Sequence, residues 1–473
     1  MQKDLVICQV PFTETAFPLM AGAVLKSIAE KAGWSSILYD FNQLYFEKIK
    51  KDYNASRVVD FLLHETHDTK ILPFVKQMFS EMADKIIEHQ PKLVAISVFT
   101  YCSRTSAVYL SMMIKQKSPN IKIIAGGSGL YDGVMMKTDF ADLMRRMKLL
   151  DHYIIGDAEH SFLEFLKDNK NFGGINNADW QQIANNDLDV LPHPNYNDHQ
   201  WNIYERKSIP ITGSRGCVRK CTFCNDILHW KKFSFRSADS IFEEMLAQSK
   251  KYGLYHFQFS DALINGNVKE FRSLCQKLAD YNNSNQQQLS WDSQFIFRPR
   301  KQFAEGDWDN LKASGVASLS VGVESLDEDI RYDMGKKFDQ EDLEYNLYQC
   351  QRLQIEAACN IIVGYPLEDE KSIDKSKQWL ADNTHFTDAM KLNFGGTMAL
   401  FPDTPLFVNA EKYGITIDGP PWQNWWNKSS TPQLRKKWWS ELVACAKSNG
   451  YHVEYSFENS IILEGLDLSN APV

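Results

Sequence analysis

Three cysteines stand within eight consecutive residues, and this spacing constrains the chain more than any other feature of its sequence. They are Cys217, Cys221 and Cys224, in the run from 213 to 225. Three thiolates on one short loop can hold a metal centre and leave it one ligand short, and an open coordination position separates reactive centres from structural ones. The spacing therefore predicts a metalloenzyme whose centre is held by this loop.

The loop alone leaves two other interpretations open. His229 follows Cys224 by five residues and could complete a Cys3His zinc site. In that case the chain would be a zinc-stabilised α/β binding protein and not an enzyme. The chain has nine cysteines among 473 residues, so the spacing could also arise by chance.

The overall composition is that of an ordinary globular protein, with 44% hydrophobic and 24% charged residues. A formal net charge of -8 argues against nucleic acid as a partner, because such proteins carry a basic patch. The sequence shows no signal peptide and no apolar run of about 18 residues, so we expect a cytoplasmic protein without a membrane segment. The other six cysteines lack a pairing pattern, as expected for reduced thiols: Cys8, Cys102, Cys275, Cys350, Cys359 and Cys445.

Short apolar strands alternate with helical stretches over residues 1–170. The predicted strands are Asp4–Val10, Ser36–Asn42, Leu93–Phe99, Ile121–Gly126 and His152–Gly156. The predicted helices are Leu19–Ala32, Leu72–His89, Ser103–Lys117 and Glu159–Asp168. Continuous apolar strands separated by helices indicate a parallel sheet covered on both faces. We therefore predict a doubly wound, Rossmann-like α/β domain.

The carboxyl ends of these strands carry the candidate ligand-binding residues of the first domain, because ligands of doubly wound sheets bind there. They are Ser97, Gly126, Gly127, Gly156 and Glu159. Glycines at such positions allow a ligand to approach the backbone closely. The alternative is that the fold itself needs glycine-rich turns.

Residues 171–205 lack a hydrophobic period and are rich in turn formers, so we predict a linker. Strand–helix alternation resumes over 206–400, with strands at Ile209–Gly213, Tyr255–Ser260, Leu289–Phe295, Ala317–Val323, Glu356–Val363 and Ala389–Phe394. About six such units are too few for a closed eight-fold barrel, yet the cysteine loop follows the first strand, where barrels place their chemistry. Residues 401–473 are an aromatic-rich extension, predicted to be a small domain packed on the barrel or a substrate wall.

The later strands of this second region also end in residues that could face a site. Asp261 could face the site or cap a helix, and both readings stay open. A buried Glu324 needs a cationic partner, such as Arg298 or the ammonium of a ligand. The candidates, in chain order, are Asp261, Arg298, Glu324, Ser325, Asn360 and Gly364.

The cysteine spacing, with Phe223 before the third cysteine, resembles the cluster loop of the radical S-adenosylmethionine (SAM) enzymes. The run 321–325 with Met334-Gly-Lys336 is similar to the family's Gly-x-Glu-Ser and Met-x-Lys segments. The run 360–368 is similar to its glycine-rich adenine-contacting segment, although Asn360 stands where glycine is common. Four such pieces in the right order outweigh the zinc site.

The resemblance implies a partial (βα)6 TIM-type barrel in which the three cysteines hold three irons of a 4Fe-4S cluster. The fourth iron would chelate the methionyl group of SAM. Asp261 and Arg298 are then the expected catalytic residues. The expected SAM-binding residues are Phe223, Glu324, Ser325, Asn360 and Gly364.

The first domain resembles the cobalamin-binding domain that precedes this barrel in cobalamin-dependent radical SAM enzymes. The matching pieces are the Ser97 strand end, the Gly126-Gly127 loop and the turn 156–159. Asp157 and Ala158 depart from the Gly-Glu-Gly-Glu turn of many relatives, and the Asp-x-His-x-x-Gly motif of other cobalamin domains is absent. Many cobalamin-dependent radical enzymes also lack that histidine, so the resemblance implies bound cobalamin.

The resemblance implies that the protein is a cobalamin-dependent radical SAM methyltransferase. Its expected target is an unactivated centre of a small molecule or peptide. A reduced flavodoxin or ferredoxin would supply the electron that cleaves SAM to a 5'-deoxyadenosyl radical. One alternative is a radical enzyme that rearranges, cyclises or oxidises its substrate, with or without cobalamin. The zinc-stabilised binding protein remains the non-enzymatic alternative.

Overall fold

The computed structural model describes residues 2–13, 15–49, 55–64, 68–131, 139–167, 187–226, 230, 232–418 and 424–455. These residues form two compact units. The first contains the described residues up to 167 together with 190–210, and the second contains 187–189 and 211–455. No helix in the described ranges is long and apolar enough to cross a membrane. The domain boundaries at 170, 205 and 400 remain predictions.

A five-stranded parallel sheet forms the centre of the first unit. Its strands are β1 (Leu5–Gln9), β2 (Ser36–Asp40), β3 (Leu93–Ser97), β4 (Lys122–Gly126) and β5 (His152–Ile154), each inside a strand predicted from sequence. The strand order is β2-β1-β3-β4-β5, with every neighbouring pair parallel. All residues of β1 and β3 are buried, as expected for strands covered on both faces. The order reverses between β1 and β3, which is where such sheets bind ligands.

Within the described ranges the first unit has the helices Met20–Lys31, Phe41–Ile49, Ala55–His64, Leu72–Ile87, Arg104–Lys117, Asp139–Arg146 and Glu159–Lys167. The sequence predicted four of them. It missed the second, third and sixth. The sixth buries just Ala141 and Met144, so its apolar period is too short to be recognised.

The predicted linker spans 171–205, of which 171–186 lie outside the described residues; residues 193–205 are bound to the first unit. Asp198 accepts a hydrogen bond from the backbone N–H of Leu38 on the edge strand β2, at 2.8 Å, and forms an ion pair with Lys26 at 2.5 Å. Tyr204 donates its hydroxyl to Asp40 at 2.6 Å. The segment thus satisfies polar groups along an edge strand that would otherwise be open to pairing.

The second unit is built on a seven-stranded sheet with the order β16-β13-β12-β11-β10-β9-β6. The strands are β6 (Ile209–Ile211), β9 (His256–Phe259), β10 (Ser290–Phe295), β11 (Val316–Glu324), β12 (Glu356–Val363), β13 (Met390–Thr397) and β16 (His452–Tyr455). The pairs from β9 to β16 are parallel. Two short antiparallel pairs accompany it: β7 (Ser214–Arg215) with β8 (Ser234–Phe235), and β14 (Thr416–Ile417) with β15 (Trp425–Trp426). The predicted α/β class with a partial barrel is confirmed, and the seventh strand comes from the aromatic-rich extension.

The helices described in the second unit are Ala238–Tyr252, Val268–Ser284, Glu305–Ala313, Glu328–Asp333, Gln340–Leu353, Glu370–Asp382, Pro405–Val408 and Pro432–Ser448. Side chains cap several of them at the N-terminus, as helix ends require. Asn267 caps the helix that follows β9, accepting from the N–H groups of Lys269 and Glu270. The sequence left open whether Asp261 faces the site or caps a helix. Asn267, and not Asp261, caps the helix that follows β9.

The two faces of the barrel sheet differ in chemistry. Trp291 and Phe295 of β10 face the covering helices, where they contact Phe271 and Trp308. The opposite face carries half-buried polar side chains at alternate positions, because successive residues of a strand point to opposite sides. These include Asp292, Ser320, Asn360 and Asn393. The inner face of this sheet is therefore a polar wall.

Candidate active site

The cysteine loop begins at the carboxyl end of the first barrel strand, as expected from the sequence. The backbone N–H of Arg219 donates to Cys217 Sγ at 3.4 Å, and that of Cys224 donates to the carbonyl of Cys221 at 3.2 Å. Thr222 donates its N–H to the carbonyl of Met334 at 3.0 Å. The loop is thus folded on itself and tied to the segment that follows β11.

The three thiols are electrostatic neighbours in a partly buried setting. Burial raises the pKa of the Cys221 thiol, and burial and the adjacent Asp226 raise the pKa of Cys224 to about 12. Each thiol is also affected by the charge of Cys217. Binding iron would need all three as thiolates, so cluster uptake is coupled to proton release.

The donor set fits a cluster with one open iron. Three cysteines come from a single loop. His229, the proposed fourth ligand of a zinc site, lies outside the described residues. In the described part of the chain no three His, Cys, Asp or Glu side chains are already converged as a metal site. The fit therefore rests on the donor set and its place in the barrel.

Asp261 lies at the base of the cysteine loop. It is 2% exposed, and its Oδ1 accepts the backbone N–H of Gly213 at 2.8 Å. Ser214 donates its hydroxyl to the carbonyl of Leu263 at 2.7 Å, so the loop after β9 braces the strand that leads to the cysteines. Burial raises the pKa of Asp261 to about 7. The Asp261 carboxylate therefore stabilises the start of the cysteine loop through Gly213. Its catalytic role remains a prediction.

Glu324 ends β11 in a strained backbone conformation with φ of 71°. Its carboxylate forms a buried ion pair with Lys336 at 2.9 Å. The pairing with Arg298 considered from the sequence is wrong: Lys336, from the Met334-Gly-Lys336 run, is the cationic partner. Lys336 also lies over the ring of Phe223, 5.8 Å from its centroid, which links Glu324 to the cysteine loop. A Cβ at Gly322 would collide with the Glu324 carboxylate and approach the Lys336 amine, so a larger residue there would displace this ion pair.

Ser325, next to Glu324, is turned towards its own segment. Its hydroxyl accepts the N–H of Asp327 at 3.2 Å, and its carbonyl accepts from Arg331 at 3.0 Å. These contacts form the turn into the helix Glu328–Asp333. Its predicted role at SAM stays a prediction.

Asn360 belongs to a polar ladder across the inner face of the barrel sheet. It donates to Ser320 Oγ at 3.3 Å and accepts from Asn393 at 2.9 Å. In the described part of the chain, Oδ1 of Asn393 is buried and has no hydrogen-bond donor. Asparagine at position 360 is therefore used for cross-strand hydrogen bonding.

Gly364 follows β12 with φ of 97° and is closed in by Arg435. Its N–H and that of Tyr365 donate to Glu368, whose burial raises its pKa to about 7. Arg435 stacks on Trp425, with its guanidinium 3.9 Å from the ring centroid. A side chain at 364 would enter the space that Arg435 fills. The aromatic extension thus supports the segment that resembles the adenine-contacting one.

We expect Gly364→Ala to destabilise the second unit by roughly 2–5 kcal/mol. About 1–2 kcal/mol comes from the left-handed backbone, and about 1–3 kcal/mol from overpacking against Arg435. Gly414→Ala is the matched control, because its φ is 61° but no atom of the described residues lies within 4 Å of the added Cβ. Thermal unfolding of the two variants checks this, and equal losses would contradict the role assigned to Arg435.

The candidates of the first unit meet at one edge of its sheet. Ser97 of β3 is the direct register partner of Gly126 of β4, and Gly126 pairs with Ile154 of β5. Among the described residues, a Cβ on Gly126 would meet just the Ile154 carbonyl, at 3.6 Å, and one on Gly156 would meet no atom within 4 Å. The backbone at these two positions is therefore open to a ligand.

Gly127 and Glu159 have a different environment. A Cβ on Gly127, whose φ is 109°, would collide with the carbonyl of Val98, so the fold itself requires this glycine. Glu159 is the first residue of the helix Glu159–Lys167, where a carboxylate complements the helix dipole. Their predicted roles at a cofactor remain predictions.

Sequence reasoning missed Lys336, Glu368 and Arg435 as parts of the site. Lys336 had a signal, since it ends the Met-x-Lys segment. Glu368 also stands in a segment singled out for its resemblance. Arg435 reaches Gly364 from 71 residues away along the chain, and no local pattern reports such a contact.

Comparison with known proteins finds a family match for part of the chain. Residues 211–380 match the radical SAM superfamily. An uncharacterized methyltransferase of Pyrococcus horikoshii is 23% identical over 389 residues, which cover 76% of this chain and 80% of that protein. The anaerobic magnesium-protoporphyrin IX monomethyl ester cyclase of Synechocystis is 22% identical over 239 residues, and the match spans 46% of each chain.

The chain also shares its fold with a solved structure of the radical SAM methyltransferase TsrM from Kitasatospora setae. The TM-score is 0.63 at 15% identity, covering 95% of this chain and 91% of TsrM. The chain thus carries a radical SAM domain, and the recognition made from the cysteine loop is confirmed. That domain implies an enzyme that uses a 4Fe-4S cluster and SAM.

Proposed function

We propose that this protein is a cobalamin-dependent radical SAM methyltransferase acting on an unactivated centre of a small molecule or peptide. The observation that carries the proposal is the pairing of two features in one chain. A three-cysteine loop ends the first barrel strand, and a separate sheet of order β2-β1-β3-β4-β5 has an open glycine edge. TsrM, whose structure was solved with cobalamin and a [4Fe-4S] cluster bound, shares this fold.

Within the barrel, Cys217, Cys221 and Cys224 would hold the cluster, which supplies the electron for cleaving SAM. Glu324 is fixed by Lys336 beside the loop and offers a carboxylate to the methionyl ammonium or the ribose. Preorganised charges of this kind orient a ligand without further reorganisation. Asn360 and Asn393 present amide groups to the polar inner wall, where hydrogen bonds can orient a substrate.

In the first unit, Gly126 and Gly156 leave room at the carboxyl edge, and Ser97 adds a hydroxyl to the same edge. This edge fits the tail of a bound cobalamin. Cobalamin would supply the carrier for the transferred methyl group. We further propose a reduced flavodoxin or ferredoxin as electron donor, and a cytoplasmic location.

A second candidate is a radical SAM enzyme that closes a ring or otherwise rearranges its substrate. The similarity to the Synechocystis cyclase favours it, because that relative is named for a cyclisation. The barrel motifs do not distinguish the two chemistries.

The two candidate functions convert SAM into different products, so they can be distinguished without knowing the substrate. Anaerobically reconstituted protein should be incubated with SAM, reductant and added cobalamin. A methyltransferase is expected to release S-adenosylhomocysteine in a cobalamin-dependent manner and also some 5'-deoxyadenosine. Formation of 5'-deoxyadenosine alone, unaffected by cobalamin, would favour the second candidate. If neither product is formed, both candidate functions are excluded.

We expect Glu324→Gln to weaken SAM binding by about 10- to 150-fold, because a charge-assisted hydrogen bond is worth roughly 1.5–3 kcal/mol. The Lys336→Gln variant is the matched control. It breaks the same ion pair but keeps the carboxylate. Equilibrium binding of SAM to both reconstituted variants decides the matter. If the two variants lose affinity equally, Glu324 acts through the ion pair and does not contact SAM.

A further inference from the structure

Arg298 is a buried guanidinium without a carboxylate partner among the described residues. It is 8% exposed. Nη2 donates to the carbonyls of Asn265 and Gly266, at 2.6 and 3.2 Å, and Nη1 donates to Gln302 at 3.2 Å. Nε is buried and has no acceptor in the described part of the chain. A buried charge balanced by neutral groups alone is costly, so an anionic partner is expected.

The charged groups that act on Arg298 point to the anion. Burial above all, together with the charges of Arg219 and Arg272, lowers the pKa of the Arg298 guanidinium to about 10, and Cys217 raises it. Arg272 is already paired with Asp307, at 2.6 Å. Burial likewise lowers the pKa of Arg219, and Cys221 and Cys217 raise it; the backbone N–H of Arg219 also donates to Cys217 Sγ at 3.4 Å. The cysteine loop is thus the anionic group that acts on both arginines.

Neutral contacts hold Arg298 in this position. Asn346 donates to its carbonyl at 3.0 Å, and Asn265, which lies under its guanidinium, makes two hydrogen bonds with the backbone of Ile296. The loop after β9 that carries Asn265 also braces the strand leading to the cysteines through Asp261. Arg298 and the cysteine loop are therefore fixed to the same piece of backbone.

We infer that Arg298, assisted by Arg219, is a positioning residue that stabilises the negative charge of the reduced cluster. The inference rests on the proposed function. One electron from a reduced low-potential protein donor lowers the core charge by one, so the cluster with its thiolates gains one negative charge. A fixed cation held on the loop that braces the cysteine strand favours that state and raises the reduction potential, because net charge and hydrogen bonding set the potentials of such clusters.

The test is a potentiometric titration of the anaerobically reconstituted protein without SAM, followed by electron paramagnetic resonance of the reduced cluster. We expect Arg298→Gln to retain iron and to shift the midpoint to a more negative potential. At a fixed donor potential the reduced fraction should fall several-fold. Arg298→Lys should restore most of the shift. Arg272→Gln is the matched control and should leave the midpoint unchanged, because Asp307 already balances that arginine.

An unchanged midpoint in Arg298→Gln with full iron content would overturn the inference while leaving the proposed function intact. If that variant also bound SAM more weakly, the anion would be a methionyl carboxylate. If Arg298→Gln fails to take up iron, the midpoint potential of Arg219→Gln is measured instead, because the Arg219 side chain is only half-buried. The same negative shift is expected. An unchanged midpoint in that variant would overturn the inference. Wild-type protein that takes up no iron would overturn the proposed function as well.

Discussion

The triple variant Cys217→Ala, Cys221→Ala and Cys224→Ala is expected to purify without iron, while the wild-type protein holds about four iron and four sulfide per chain after anaerobic reconstitution. The loop supplies the only thiols in the described residues that lie together at a barrel strand end. Their removal leaves the backbone contacts of the loop, such as the N–H of Thr222 with Met334, in place. The variant should therefore fold. Iron and sulfide analysis with an absorption spectrum checks the result.

Cys102→Ser and Cys445→Ser serve as controls, because both thiols are partly exposed and belong to other segments of the sequence. Each should keep its full iron content. Zinc at about one equivalent per chain, with no iron uptake, would instead support the Cys3His site with His229. Iron retained by the triple variant would mean that other residues hold the centre.

Much of the architecture could be predicted because local patterns of apolar residues indicate its strands and helices. All five strands of the first sheet lie inside predicted strands, since buried parallel strands read as continuous apolar runs. The helix Asp139–Arg146 was not found, because a charged surface helix has too few buried residues to give a period. The stretch 171–205 was predicted to be a linker from its turn formers. Its tertiary contacts, such as Asp198 with the edge strand β2, leave no local signal.

The site shows the same division. The cysteine loop and Glu324 were found because spacing and position at strand ends are sequence properties. The partner of Glu324 was not found, because the sequence contains both Lys336 and Arg298 and only the fold shows that Lys336 is the partner. Gly126 and Gly127 are adjacent glycines, yet one faces open space and the other is forced by the Val98 carbonyl. Conformation distinguishes them, and sequence does not.

That difference between the two glycines makes Gly126 the sharper test of cobalamin binding. We expect Gly126→Leu to lower cobalamin affinity by at least about tenfold, because a bulky side chain would occupy the space left open at the carboxyl edge of β4. A Cβ at this position meets just one carbonyl, at 3.6 Å, so the sheet itself should tolerate the change. Cobalamin retained after gel filtration, measured by absorption, and iron content are the two readouts.

Iron content should be unchanged in Gly126→Leu, since the cysteine loop belongs to the other unit. Lys122→Leu is the matched control: it places the same side chain at the opposite end of β4, and the half-exposed ion pair it removes, with Asp151 at 3.0 Å, contributes little. If Gly126→Leu binds cobalamin as well as the control does, the cofactor does not use this edge. If the wild-type protein takes up no cobalamin, the methyltransferase loses its main support and the second candidate, a radical enzyme acting without cobalamin, becomes the better account of the chain.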